Sequence, residues 1–123
     1  MANELSLSGL NISFAKANVP SVNFRADSLS VTVAGTQISD NVQSVGTAEE
    51  AILLGDVAPG GYCFAQNMDT TNFVSLRQAT GAANFLKLLA GEWAIFRLSA
   101  DATAPYAIAD TAAVNVRFLR FDL

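Results

Sequence analysis

The sequence contains no histidine and only one cysteine among its 123 residues. Histidine is the commonest proton shuttle and transition-metal ligand, so its absence excludes Ser-His-Asp and Cys-His catalysis and most zinc or iron sites. Because Cys63 is alone, the chain can form neither an internal disulfide nor a thiolate zinc cluster. We expect Cys63 to be a small buried side chain rather than a reactive thiol. We therefore expect no enzymatic activity, no metal and no cofactor.

Charge is also scarce, since Asp, Glu, Lys and Arg make up 15% of the chain and leave a net charge of −4. An acidic balance repels the phosphate backbone, so we do not expect nucleic-acid binding. No apolar run approaches the roughly 18–20 residues of a membrane span, and the opening residues lack a basic segment. We expect a soluble protein with no membrane contact and no secretion signal.

Alternation of apolar and polar residues is the dominant pattern, as in Leu10, Ile12 and Phe14 near the start. Turn residues recur every eight to twelve positions, a spacing typical of sandwiches and barrels. No long helical pattern is present, and parallel sheets would need crossovers for which there is no room. The sequence therefore predicts one domain over residues 1–123, an antiparallel β-sandwich of eight to ten short strands, with jelly-roll topology expected.

Two segments depart from simple alternation. The alternation slips by one position at Gly9, which predicts a kinked opening strand, with residues 1–9 either a strand or an N-terminal arm. Thr47 and Glu50 have the spacing of a helix capping box, but Gly55 and Asp56 end that segment after about two turns. We favour a strand there.

The carboxylates offer little chemistry. Glu49 and Glu50 are adjacent, so in a strand they point to opposite sides, and we expect both to be solvated. Asp56 and Asp69 lie beside turn residues, and we expect them to form turns. An oxygen-ligand calcium site at these aspartates and a glycosidase-like carboxylate pair are the weaker alternatives.

Aromatic residues allow two interpretations. Trp93 and Tyr62 could form a sugar-stacking platform, but Trp93 begins the nearly continuous apolar run 93–98, which predicts a strand in the middle of the core. We therefore favour core packing for Trp93.

The last strand contains cations within an apolar run. Arg117 and Arg120 are an odd number of residues apart, so they lie on opposite faces, with Phe118 on the face of Arg120. An apolar face that carries a cation is typical of a protein contact, and a solvated edge is the alternative. The candidate interface residues are Arg117, Phe118, Arg120 and Phe121. The apolar stretch 116–123 and the small size of the domain predict a homo-oligomer.

Three blocks, residues 55–60, 67–76 and 85–98, together resemble small virion proteins of tailed bacteriophages, in particular head decoration (cement) proteins. The likeness covers roughly residues 47 to 121. Its turn residues are Gly55, Asp56, Asn67, Asp69, Thr71, Asn72, Gly91 and Glu92.

The resemblance implies a jelly-roll protein, often trimeric, that sits on the outer capsid surface and bridges copies of the major capsid protein. It also implies synthesis in the host cytoplasm. A passive module of this kind stabilises the assembled lattice by binding only that state. The alternative is a carbohydrate- or receptor-binding β-sandwich of a phage tail or neck, with Trp93, Tyr62 or Tyr106 as the stacking surface.

Overall fold

A computed structural model of the chain describes residues 5–33, 35–53, 57, 61–99 and 105–121. The chain, which its length suggested would be one domain, divides into two compact units. We call Met1–Val33 the hairpin unit and Ala34–Leu123 the body. The described residues form β-strands, turns and irregular segments, with no helix among them.

The hairpin unit consists of two antiparallel strand pairs that share one register. The strands are β1 (Leu5–Leu7), β2 (Asn11–Lys16), β3 (Val19–Arg25) and β4 (Leu29–Val31). β1 pairs with β4 and β2 with β3, and the pairing Leu5 to Val31 continues in step to Phe14 and Val22. The register shifts only beside the tip. Residues 5–31 are therefore one long β-hairpin.

Local backbone geometry explains where this hairpin turns and bends. Asn18 at the tip has a φ of 64°, a left-handed conformation that asparagine tolerates well in short hairpin turns. Gly9, between β1 and β2, has a φ of 81°. The predicted kink at Gly9 is confirmed, since the first strand is interrupted there. Residues 1–4 of the expected N-terminal arm lie outside the described residues, and Leu5–Leu7 form part of the hairpin.

The body is a β-sandwich of two four-stranded antiparallel sheets, which confirms the predicted fold class. One sheet has the order β10-β7-β12-β5 and the other β6-β11-β8-β9. Their bounds are β5 Ile38–Val45, β6 Glu50–Ala51, β7 Gly61–Asn67, β8 Val74–Arg77, β9 Asn84–Leu88, β10 Trp93–Leu98, β11 Tyr106–Ala109 and β12 Val114–Phe121.

The twelve strands in the described part of the chain exceed the expected eight to ten, because the opening segment supplies four short ones. In the body the strands pair in a nested order, first with last, second with seventh, third with sixth and fourth with fifth. The pairings of β7 with β12 and of β8 with β11 complete the two sheets.

Alternating residues of both sheets build the core between them. In β12 the buried residues Val114, Val116 and Phe118 alternate with exposed ones, as period-two patterning requires. They pack with buried residues of the opposite sheet such as Val74 and Leu76. Each fully buried apolar side chain stabilises the fold by about 1.5–3 kcal/mol, so this cluster holds the sheets together.

Two local predictions have different outcomes. The preference for strand over helix in residues 47–54 is confirmed at Glu50–Ala51, which pairs with β11. The prediction that residues 93–98 form a central strand is wrong, because β10 lies at the edge of its sheet. Its Ala94 and Phe96 contact the core while the alternate residues are exposed.

Candidate functional site

The side of the β10-β7-β12-β5 sheet that faces away from the core carries mostly apolar side chains. Because side chains alternate along a strand, the residues next to core-facing ones point to this side. Strand pairing arranges them in three rows across the sheet. We call the twelve residues the outer face. In the order β10, β7, β12, β5, the rows are Trp93, Gln66, Arg117 and Val42, then Ile95, Phe64, Leu119 and Asp40, then Arg97, Tyr62, Phe121 and Ile38.

Eight of these twelve side chains are apolar or aromatic, and those on the edge strands are the most exposed. Ile38 is 66% exposed, Val42 55%, Trp93 52% and Ile95 43%. Strand spacing gives the face an extent of roughly 300–400 Å². The largest apolar patch on a typical monomer is of this size and often marks an interaction site. The outer face is therefore the best candidate for a binding surface on the body.

The charged groups of the outer face are paired or lie against rings. The Arg117 guanidinium donates two hydrogen bonds to the Asp40 carboxylate, at 3.0 and 2.8 Å. These bonds hold the pKa of Asp40 below its ordinary value and raise that of Arg117. Arg97 lies 5.5 Å from the centre of the Tyr62 ring, a cation–π distance. A partner covering this face would therefore meet charges that already have local compensation.

Aromatic contacts stiffen one corner of the outer face. The Phe64 and Trp93 rings lie 6.1 Å apart with a tilt of 33°. Offset aromatic pairs at this spacing contribute about 0.5–1.5 kcal/mol beyond the area they bury. This pairing supports the exposed indole of Trp93 from one side.

The four candidate interface residues of the last strand divide between the two sides of the sheet. Arg117 and Phe121 lie on the outer face, where Arg117 is exposed and Phe121 half-buried. Phe118 and Arg120 point into the body, where both are buried. The two arginines therefore lie on opposite sides of the sheet, as their odd spacing predicted. The side that carries Phe118 and Arg120 faces the interior of the body.

Core packing, the sequence-based expectation for Trp93, is wrong, because half of this side chain is exposed. Trp93 and Tyr62 both lie on the outer face, Trp93 in its first row and Tyr62 in its third. Tyr106 belongs to the other sheet, in β11. The structure therefore groups two of the three candidate stacking residues on one surface.

Asn67 organises one end of the body from a fully buried position. Its side-chain amide donates hydrogen bonds to the carbonyl oxygens of Asn72, at 2.9 Å, and Leu88, at 3.0 Å. Its side-chain oxygen accepts a 2.8 Å hydrogen bond from the backbone N–H of Asp69. A buried amide satisfied by three backbone groups fixes the loops that supply them.

Further backbone hydrogen bonds join the neighbouring loops. The N–H of Asn67 donates to Glu92, and that of Gly91 donates back to Asn67. Met68 donates to Asn115 in the same way. We call the joined segments 67–73, 89–92 and 110–115 the loop end of the body.

Six of the eight turn residues that carry the family resemblance lie together at the loop end. Asp69 forms a turn, because its carboxylate accepts hydrogen bonds from the N–H groups of Thr71 and Asn72, at 3.0 and 2.6 Å. These bonds, that of Asn72 foremost, lower the pKa of Asp69. The Glu92 carboxylate accepts one from the N–H of Leu89 at 2.7 Å. Gly55 and Asp56 lie outside the described residues.

Glu49 and Glu50, which were expected to be solvated, are half-buried and accept hydrogen bonds within the body. Glu49 accepts hydrogen bonds from Arg77, at 2.7 Å, and from Thr80, and these lower its pKa, the Thr80 bond most. Glu50 accepts from the amide of Gln43 at 2.9 Å. Each carboxylate therefore joins its own segment to a different part of the body.

Cys63 is buried, as predicted, in the middle of β7. Burial raises the pKa of its thiol to about 11, despite an opposing effect of Arg120. A thiol with so high a pKa forms almost no thiolate at neutral pH, so it has little nucleophilic reactivity.

Within the described residues, no three His, Cys, Asp or Glu side chains come together as metal ligands would. None of these residues forms a helix long and apolar enough to cross a membrane. Comparisons with protein-family models, curated proteins and solved structures found no match.

Sequence reasoning missed the outer face as a whole. The available signal was the apolar character of consecutive residues in β7, β10 and β12, where both sides of a strand carry hydrophobic groups. In β10 this pattern is compatible with central burial and equally with an edge strand that has two apolar sides. The second apolar side of β10 is exposed because it lies on the side of the sheet that faces away from the core.

Proposed function

We propose that the chain is a structural protein of a tailed-bacteriophage particle that binds the outer surface of the assembled head and stabilises it. The exposed apolar outer face of the body carries this proposal. A passive binding module needs such a surface, since its affinity comes from buried apolar area. The resemblance of residues 55–60, 67–76 and 85–98 to head decoration proteins supports the assignment to a virion and to the major capsid protein as partner.

The size of the outer face is informative about mechanism. A stable protein interface buries about 800 Å² on each partner, which is roughly twice the extent of this face. One such contact alone would bind weakly. Repetition of the contact over a symmetric shell strengthens binding overall. When copies are joined to one another, binding of the first holds the others near their sites at a high effective concentration. We therefore propose a homo-oligomer, with a trimer favoured by the resemblance.

We also propose that the body has jelly-roll topology. The nested pairing of its eight strands supports this, because a long antiparallel ribbon that folds over on itself places alternate pairs in two facing sheets. Members of the class that the sequence resembles are of this kind.

The decisive experiment measures binding of purified protein to capsids assembled without it. Ile95→Glu and Val42→Lys place charges on the outer face, and we expect each to reduce co-sedimentation with capsids at least tenfold. Phe85→Glu is the matched control, because it places a charge at an exposed apolar position of β9, in the other sheet. Capsids should withstand a higher temperature with the wild-type protein than without it. Equal melting, or binding unaffected by both variants, would refute the proposal.

A second candidate function is carbohydrate or receptor binding at a phage tail or neck. The half-exposed indole of Trp93 on the same face as Tyr62 favours it. Binding to a glycan array that is lost in Trp93→Ala but retained in Ile95→Glu would support this function. An array with no wild-type signal would eliminate it.

A further inference from the structure

Strand β10 lies at the edge of its sheet and directs half of its backbone groups away from β7. Residues of an antiparallel pair alternate between those that exchange backbone hydrogen bonds and those whose groups point away from the partner strand. The N–H of Asn67 donates to the carbonyl of Glu92, so the even-numbered residues of β10 are the ones that bond to β7. Trp93, Ile95 and Arg97 therefore direct their N–H and carbonyl groups to the other side, where no described strand pairs with them. We call that side the β10 edge.

The other edge strands in the described part of the body are better protected against pairing with another molecule. β6 has only two residues, and the pairing of β8 with β9 shifts register between Leu76 and Arg77. β5 carries the Asp40 carboxylate on its exposed side. Short strands, register shifts and charges are devices that prevent such pairing. β10 keeps a regular register along six residues, contains no proline and has one charge, at Arg97.

The β10 edge matches a second copy of itself in one antiparallel register. Hydrogen bonds form only where residues that direct their groups to the edge lie opposite one another. With Ile95 opposite Ile95 of the second copy, Trp93 of each copy lies opposite Arg97 of the other. All three residues of each strand then take part, which gives six backbone hydrogen bonds. A shift of two residues in either direction leaves four such bonds within β10.

Side chains favour the same register. On the outer face, each Trp93 indole lies opposite the Arg97 guanidinium of the other copy, and Arg97 already makes a cation–π contact with Tyr62 at 5.5 Å. The two Arg97 residues are at opposite ends of the contact, roughly 13 Å apart by strand rise, so their repulsion is weak. On the inner side, the small Ala94 of each copy lies opposite the large Phe96 of the other. Direct cross-strand pairs of these kinds stabilise a sheet.

We propose that two copies of the chain join along their β10 edges, antiparallel and centred on Ile95, so that two four-stranded sheets become one sheet of eight strands. The same surface is used on both copies, so the contact closes at two. It joins two outer faces into one surface of about twice the extent, close to the roughly 800 Å² of a stable contact. The trimer that the resemblance favours cannot be built from this two-fold contact alone. The inference stands independently of the proposed function, since it concerns only copies of this chain.

Disulfide trapping tests the register. Residues directly opposite in an antiparallel pair have Cα atoms about 4.5–5.5 Å apart, within the range of a disulfide. Under mild oxidation, Ile95→Cys should therefore link two copies at least tenfold faster than Val42→Cys, which is similarly exposed on the same face but lies in β5. A mixture of Trp93→Cys and Arg97→Cys should link faster than either variant alone, because only the mixed pair lies directly opposite. Equal rates for Ile95→Cys and Val42→Cys, or a mixture no faster than its components, would overturn the proposal.

Charge pairing at the two-fold axis supplies a second readout. Light scattering from the wild-type protein should approach twice the 12.9 kDa of one chain as concentration rises. Ile95→Glu and Ile95→Lys each place like charges opposite one another and should weaken this association at least tenfold. Mixing the two variants should restore it, because opposite charges then meet, whereas Val42→Glu and Val42→Lys should each associate as the wild type does.

The mixing experiment also separates this contact from capsid binding. Both Ile95 variants carry a charge on the outer face, so mixing them would not restore binding of that face to a capsid. Failure of capsid binding with a normal two-chain particle would therefore refute the proposed function alone. A wild-type particle of one chain or of three chains, or Ile95 variants that associate normally, would overturn the β10 contact.

Discussion

Loss of the Asn67 side chain should destabilise the body more than its modest size suggests. Asn67→Ala removes two donated hydrogen bonds and one accepted hydrogen bond at a fully buried position. Each contributes about 1 kcal/mol net, and the carbonyl of Leu88 is left without this donor inside the protein. We expect a loss of about 3 kcal/mol. For a unit the size of residues 34–123 this lowers Tm by about 15 °C.

Asn67→Asp separates hydrogen bonding from packing, because it preserves the shape of the side chain. The carboxylate can still accept from Asp69, but it opposes the carbonyl oxygens of Asn72 and Leu88. Its pKa should therefore rise in the folded state above the ordinary value of about 3.9. Such a group is compatible with folding below the unfolded pKa and destabilises progressively as pH rises through the folded pKa. The variant should recover stability in acid relative to the wild type.

Circular dichroism during thermal unfolding, repeated from acid to neutral pH, measures both effects. Asn115→Ala is the matched control, because this exposed asparagine contributes a backbone carbonyl that the substitution retains. It should change stability by less than about 0.5 kcal/mol. If Asn67→Ala melts within about 3 °C of the wild type, Asn67 does not hold the loop end together, and our account of that region is wrong.

Two further predictions concern titratable groups. A maleimide should label Cys63 very slowly in the native protein at pH 8 and at once after denaturation, because its thiol is buried with a pKa of about 11; rapid native labelling would show that β7 opens. Carbon-detected NMR titration should give Asp40 a pKa below its ordinary value, returning toward it in Arg117→Met, because hydrogen bonds from Arg117 favour the carboxylate. The contribution of these hydrogen bonds to stability is present above the pKa of Asp40 in the unfolded chain and disappears as pH falls through its pKa in the folded protein. An unchanged Asp40 pKa in Arg117→Met would contradict the pairing.

The sequence predicted the strands well, because alternation is a local property. Gly9 marked the kink, and residues 106–109 and 114–121 were placed within one or two positions. Opposite placement of Arg117 and Arg120 also followed from spacing alone. These inferences need only the chain near each residue.

The order of the strands within each sheet, and the side of each strand that is exposed, could not be predicted from such local patterns. Trp93 begins a run of apolar residues, and such a run is equally compatible with central burial and with an edge strand whose outer side is apolar. Nothing near Glu49 in the sequence reveals its partners, because Arg77 and Thr80 are 28 and 31 residues away. The hairpin likewise depends on pairing between residues 5 and 31, whose register the pattern did not show.

Nested pairing has a consequence for how the body is made on the ribosome. β5 is an edge strand whose neighbour in its sheet is β12, and paired residues Asp40 and Leu119 are separated by most of the body. Contacts of such high sequence separation form late and slowly. While the chain is being translated, residues 38–45 must wait until residues 114–121 have left the exit tunnel. Until then Ile38 and Val42 remain on an unpaired strand that is open to aggregation, so chaperone demand should last until residues 114–121 have emerged.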